Sequence, residues 1–276
     1  MEESAMKKHF TFVFCILALV FALAACAAPG GPGGGSPDAG EEGREGVEGK
    51  AGMPDGEEIP AEASVQGILA QDGNGTFLLC NDGGLYAVGT DIRILDAEGR
   101  ESDASALCAG QRVEIGYGGE ILESYPARFS KPEYVKILEE GEDFVGFYCT
   151  VFDALYKTDE GLNGGISVLA FDLDAAENLS GGEKEALAYI FSQSVGLEGF
   201  CSDFETLCDE GYIDRENLYF ETGLLIELEA TNIKSKSFDF AVSKWRGGLG
   251  AYFFADCRAK KGASGWDYTI GAEMIS

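Results

Sequence analysis

Apolar and polar positions alternate with a period of two through residues 112–117, where Val113, Ile115 and Tyr117 share one side and Arg112 and Glu114 the other, the pattern of a half-buried strand. Similar short runs occur at 65–70, 76–80, 85–88, 92–95 and 134–138, divided by Asp72-Gly73-Asn74-Gly75 and Asn81-Asp82-Gly83-Gly84. Such clusters are turn signals, and many short strands at this spacing predict a small all-β barrel over 63–140. Past residue 140 the period changes. Phe144, Phe147, Tyr148, Val151 and Leu155 recur at helical spacing with Gly161 as a stop, so these aromatics are expected to face a core. A strand over 166–173, a helix from Ser180 to about residue 194 and a short helix near 203–208 follow, with capping-box spacing at Ser180/Glu183 and Ser202/Glu205. From Gly223 the pattern returns to strands, at 224–229, 237–244, 251–257 and 266–275. Phe238, Phe240 and Val242 fall on one face, and Gly247-Gly248-Leu249-Gly250 makes a hairpin. The expected fold class is α+β overall: the barrel, then an α+β domain over 141–276 with an antiparallel sheet.

The amino terminus follows different rules. Lys7-Lys8-His9 precedes a nearly unbroken apolar run over 10–23 and the small residues Ala24-Ala25, which is signal-peptide architecture and too short for a comfortable membrane span. Leu23-Ala24-Ala25-Cys26 resembles the bacterial lipobox. The resemblance implies removal of 1–25 and a diacylglyceryl group on Cys26, the expected lipidation site and first mature residue. Residues 26–62 read as a linker, because the 34 residues of 27–60 hold almost no large apolar side chain. A Gly-rich coil of that length spans roughly 30 Å, enough to hold a folded body clear of lipid headgroups.

Charge narrows the partners. The chain has 20 basic and 48 acidic side chains and a net charge of −28, which loss of 1–25 leaves unchanged. That balance speaks against nucleic acid and against an anionic lipid surface, so membrane attachment is expected to rest on acyl chains. His9 is the single histidine and leaves with the leader. Serine–histidine and cysteine–histidine pairs and histidine metal sites are then unavailable, and neither a metal nor a cofactor is expected. Carboxylate-pair hydrolysis, a serine–lysine dyad and a carboxylate-bound cation remain. Asp172, Asp174 and Glu177 are the densest acidic group, but Ala176 breaks the EF-hand order, so they read as a solvated strand end. Cys80, Cys108, Cys149, Cys201, Cys208 and Cys257 contain no C-x-x-C pair; disulfides and buried thiols both stay open.

Three resemblances add to this. Gln66-Gly67-Ile68, Thr90-Asp91-Ile92-Arg93-Ile94, the stretch from Ala109 to Ile115 and Glu123-Ser124-Tyr125-Pro126-Ala127 resemble a small OB-like domain of exported lipoproteins of Gram-positive bacteria. Gly161-Leu162-Asn163, Asn178-Leu179-Ser180, Lys244-Trp245-Arg246 and Met274-Ile275-Ser276 resemble a C-terminal domain of such proteins. Neither resemblance implies an activity. Leu179-Ser180-Gly181-Gly182-Glu183-Lys184 is similar to the signature of ATP-binding cassette ATPases, but the chain has no G-x-x-x-x-G-K-[ST], and a capped helix start explains the motif. Lys244, Trp245, Arg246 and Tyr252 bring cations and rings beside a Gly-rich turn, an expected surface for an envelope protein, peptide or glycan; the competing reading has Trp245 closing the core edge. The chain therefore reads as a lipid-anchored protein of the outer membrane face, a non-enzymatic binding or interaction module. A carboxylate-dependent envelope hydrolase and an importer's solute receptor are the alternatives.

Overall fold

Short strands divided by glycine turns pair into a nine-stranded sheet in the computed structural model, which describes residues 61–276. The expected leader 1–25, Cys26 and residues 27–60 of the expected linker lie outside the described residues. The strands are β1 (Ala63–Gln71), β2 (Phe77–Asn81), β3 (Gly84–Val88), β4 (Arg93–Leu95), β5 (Glu101–Ser102), β6 (Arg112–Tyr117), β7 (Ile121–Leu122), β8 (Ala127–Phe129) and β9 (Pro132–Glu139). Their order is β5-β4-β9-β6-β1-β2-β3-β8-β7. Leu69, Phe77, Leu79, Val88, Ile94, Val113, Ile115, Phe129 and Val135 meet in one apolar cluster. Alternate residues of β1 to β3, namely Ala70, Leu78, Cys80 and Leu85, turn the other way into a second and larger cluster. Both faces of β2 are thus covered, which explains its unbroken apolar run Phe-Leu-Leu-Cys.

The second half supplies the cover. Helix α1 (Phe144–Lys157) starts at Asp143, whose carboxylate accepts from the Gly146 amide at 2.8 Å. Then come β10 (Val168–Asp172), α2 (Gly181–Ser194), β11 (Glu198–Cys201), α3 (Phe204–Asp209), β12 (Gly223–Lys234), β13 (Ser237–Gly247), β14 (Gly250–Gly262), β15 (Gly265–Thr269) and β16 (Ala272–Ile275). The sheet order is β11-β10-β12-β13-β14-β15, with β16 also on β14. Strand β10 runs parallel to both β11 and β12, while β12 to β15 are antiparallel. The sheet is therefore mixed, where the sequence predicts an antiparallel one. Helix α2 lies in the connection between the parallel neighbours β10 and β11, and α3 in the one that carries the chain from β11 past β10 to β12, which no tight hairpin can do.

Helices α1 and α2 cover one face of this sheet: Phe147, Tyr148, Phe152 and Phe191 pack with Phe171, Phe238 and Phe240, and the outward residues of β1 to β3 join the same cluster. The two sheets expected as separate domains share this core, and all the described residues fall in one compact unit. Close approach at their junction needs glycine. A Cβ on Gly182, in the first turn of α2, would lie 2.6 Å from the backbone N and O of Asn81. The ATPase-like motif is accordingly a structural joint. Ser180 Oγ accepts from the Glu183 amide at 3.4 Å and Glu183 Oε2 accepts from the Ser180 amide at 2.9 Å, a complete capping box. At α3 the expected Ser202 cap is replaced by Asp203, which accepts from the Thr206 amide at 2.8 Å. The six described cysteines are free thiols, with Cys80 and Cys257 buried in the core. Among the described residues no helix is long and apolar enough to cross a membrane.

Candidate functional site

Strand parity decides the fate of the Lys244-Trp245-Arg246 surface. Phe238, Phe240, Val242 and Lys244 are even-numbered neighbours on β13 and all turn toward the helices. Lys244 is 0% exposed, and its Nζ donates to the carbonyls of Tyr156 and Asp159 and to Asn163 Oδ1, each at 3.1 Å. Trp245 points to the opposite face, half-buried beside Leu207, Phe220 and Leu225, with its ring 5.5 Å from that of Phe204. Arg246 donates to the carbonyls of Leu162 at 2.9 Å, Gly164 at 2.6 Å and Glu221 at 3.0 Å. Tyr252, opposite Lys244 in register, donates its hydroxyl to Glu273 at 2.6 Å. The expected patch is thus not one surface: Lys244 ties β13 to the last turn of α1 and the segment after it, Trp245 closes the core edge, and Arg246 holds loop carbonyls. A two-residue period already puts Lys244 on the Phe238 side, so the sequence held the signal for this correction.

Burial holds the Lys244 pKa down to about 8, against the opposing pull of Asp159 and Glu160. The amine of an unfolded chain titrates near 10.4. Between these values the unfolded chain carries the extra proton, so this group makes stability rise with pH, and the rise is complete above the unfolded value. Urea unfolding from pH 7.5 to 10 should show the stability of the wild type growing relative to Lys244→Met, by up to about 3 kcal/mol over the window. A flat or falling difference contradicts a Lys244 pKa lowered by burial.

The opposite face of the second sheet is only partly covered. Helix α3 and the segment holding Ile213 and Phe220 sit over Ala170, Leu225 and Trp245. Beyond them the face is open, in a hollow of about 360 Å³. The register sets a row of residues across five strands there: Asp172 of β10 stands opposite Glu227 of β12, Glu227 opposite Ser243 of β13, Ser243 opposite Phe253 of β14, and Phe253 opposite Met274 of β16. Ala175, Ala241 and Ala255 also line the hollow, and their small side chains leave the space. Ser243 is 5% exposed and donates its hydroxyl to Glu227 Oε2 at 2.9 Å. Phe253 is half-buried and Met274 exposed.

Three acids, Asp172, Glu227 and Glu229, border the hollow, and no Lys or Arg is among its lining residues. Burial raises the Asp172 carboxyl above the usual carboxylate range; the Asp174 amide opposes this, the charges of Asp174 and Asp203 add to it, and Lys184 acts against it. Asp172 also borders a second hollow with Asp174, Lys184, Cys201 and Asp203 at the carboxyl end of β10 and β11. Glu177 lines neither, so the Asp172, Asp174 and Glu177 group of the sequence does not assemble as a trio. The partner that the structure gives Asp172 is Glu227, 55 residues away in sequence, and only strand pairing makes them neighbours.

A third hollow, of about 440 Å³, lies at the junction of the sheets, lined by polar and acidic groups including Gln66, Asn81, Asp82, Arg112, Glu139 and Glu183. The chain matches no protein-family profile, no curated protein and no solved structure.

Proposed function

We propose that this chain is an extracytoplasmic lipoprotein, tethered through Cys26 to the outer face of a membrane of Gram-positive type, whose folded part is a non-catalytic binding module. The observation that carries the binding reading is the open row Asp172, Glu227, Ser243, Phe253, Met274, a concave site mixing apolar side chains with a few convergent polar groups. The anchor reading rests on the leader pattern and Cys26. With the anchor, an acidic body stays near a bilayer that its charge would otherwise avoid. Fractionation tests this: the wild-type protein should sediment with membranes, and Cys26→Ser should shift it to the soluble or secreted fraction. Equal membrane retention of both contradicts the anchor.

We also read the first sheet as an OB-like barrel. In support, β3 pairs with β8 in parallel, β6 pairs with β9, and only Ser130 and Lys131 separate β8 from β9. That bent strand links the two ends of the path β6-β1-β2-β3 around the Leu69 cluster. One observation favours a second functional reading, a carboxylate-dependent hydrolase: Asp172, with its raised carboxyl, stands in register beside Glu227, and acid–base pairs arise where environments push carboxyls apart. Release of reducing sugar from envelope glycan by the wild type, lost in both Asp172→Asn and Glu227→Gln, would support it over the binding module.

A further inference from the structure

The open row changes character along its length. Its β10 and β12 end carries Asp172 and Glu227, with Glu229 beside them, and its β14 and β16 end carries Phe253 and Met274. Nearby on the same sheet, Asp239 of β13 is neutralised by Arg258 of the neighbouring strand at 2.8 Å. The acids of the hollow have no such partner: among the described residues Asp172, Glu227 and Glu229 form no ion pair, and the Glu227 carboxylate meets only the neutral Ser243 hydroxyl. Lys184, the cation acting on Asp172, donates instead to the carbonyl of Asp174 at 3.2 Å. Asp172 is part-buried while Glu227 and Glu229 are exposed, and three carboxylates around one hollow with no cation paired to them favour a positive occupant. The half-buried Phe253 ring and the 50% exposed Met274 side chain favour an apolar one. A bare metal ion would leave the apolar end of the row unused, and a neutral hydrophobe would leave the acids unpaired.

We propose that this hollow binds an organic cation on an apolar body, its ammonium or guanidinium between Asp172 and Glu227 and its apolar part on Phe253 and Met274. This rests on the binding-module reading and names the chemistry of that module's ligand. The volume of about 360 Å³ suits a small molecule or one long basic side chain, not a folded partner. The net charge of −28 adds long-range attraction for cations that salt would screen.

The test follows the Met274 methyl signal, assigned with Met274→Leu, in full-length protein labelled at methionine methyl carbons and titrated with phenethylammonium. Saturable movement is expected, at least about tenfold weaker for the neutral 2-phenylethanol and for Asp172→Asn/Glu227→Gln, since each loses the charge-assisted contact. Because 2-phenylethanol is tested on the wild type, this comparison does not depend on how the variant folds; thermal melts check the variant itself. Equal affinity for the neutral analogue, or an unchanged affinity in a folded double variant, overturns the cation. If a neutral envelope glycan fragment moves the signal while phenethylammonium does not, the ligand class fails and the binding module stands. If neither moves it, both fail.

Discussion

Gly182→Ala should destabilise the protein by about 3 kcal/mol, although alanine is the better helix former by roughly 1 kcal/mol. Gly182 is buried in the first turn of α2, and its added Cβ would meet the backbone of Asn81 at 2.6 Å. Asn81 cannot easily yield: its Nδ2 donates to the Gln66 carbonyl at 2.9 Å and its Oδ1 accepts from the Gly83 amide at 2.7 Å. Helix and strand must separate instead, opening the core shared by the two sheets. Gly181, one residue earlier, has open space around its Cβ position. Gly181→Ala should therefore be neutral or stabilising by up to about 1 kcal/mol, through lower unfolded-state entropy and better propensity. In a domain of this size 3 kcal/mol lowers Tm by roughly 6–12 °C. A large loss for Gly182→Ala with no loss for Gly181→Ala is the expected calorimetric result; similar values for both would mean that the junction is looser than the geometry requires.

Phe238→Ala should cost about 4 kcal/mol, within the usual range for deleting a buried phenyl ring. Phe238 is 1% exposed, with ring centroids 5.0 Å from Trp266, 5.6 Å from Phe147 and 5.8 Å from Phe144. Strands β13 and β15 both pair with β14, so the cavity would lie among rings held from separate strands and from α1, with little room to collapse. Trp266 is one of two tryptophans, and its Nε1 donates to Glu142 at 2.8 Å. Its emission should shift to the red in the folded variant as water reaches the ring, and urea unfolding should give the energy. A loss under about 1 kcal/mol would place Phe238 outside the cooperative core.

Local pattern made some elements legible and left others hidden. The alternation of 112–117 appears as β6, the Ser180/Glu183 spacing as the cap of α2, and Gly248-Leu249 as the two-residue loop between Gly247 and Gly250. Each depends on residues a few positions apart. The parallel pairing of β10 with β11 and β12 depends on packing across long connections, so nothing in the run around residue 170 announces it. Strand β11, Glu-Gly-Phe-Cys, is too short and too mixed to register as a period. The candidate site was hidden for the same reason: Asp172, Glu227, Ser243, Phe253 and Met274 come from five strands and are aligned only by the register. Lys244 differs, because its alternation with Phe238, Phe240 and Val242 is legible in the sequence and already places it on the core side of the strand.

The tether is tested most directly by the intact mass of the first peptide of protein recovered from its native membrane. A chain beginning at Cys26, with a diacylglyceryl group on its sulfur and residues 1–25 gone, is the expected result. An unmodified Cys26, or a leader still attached, would contradict it.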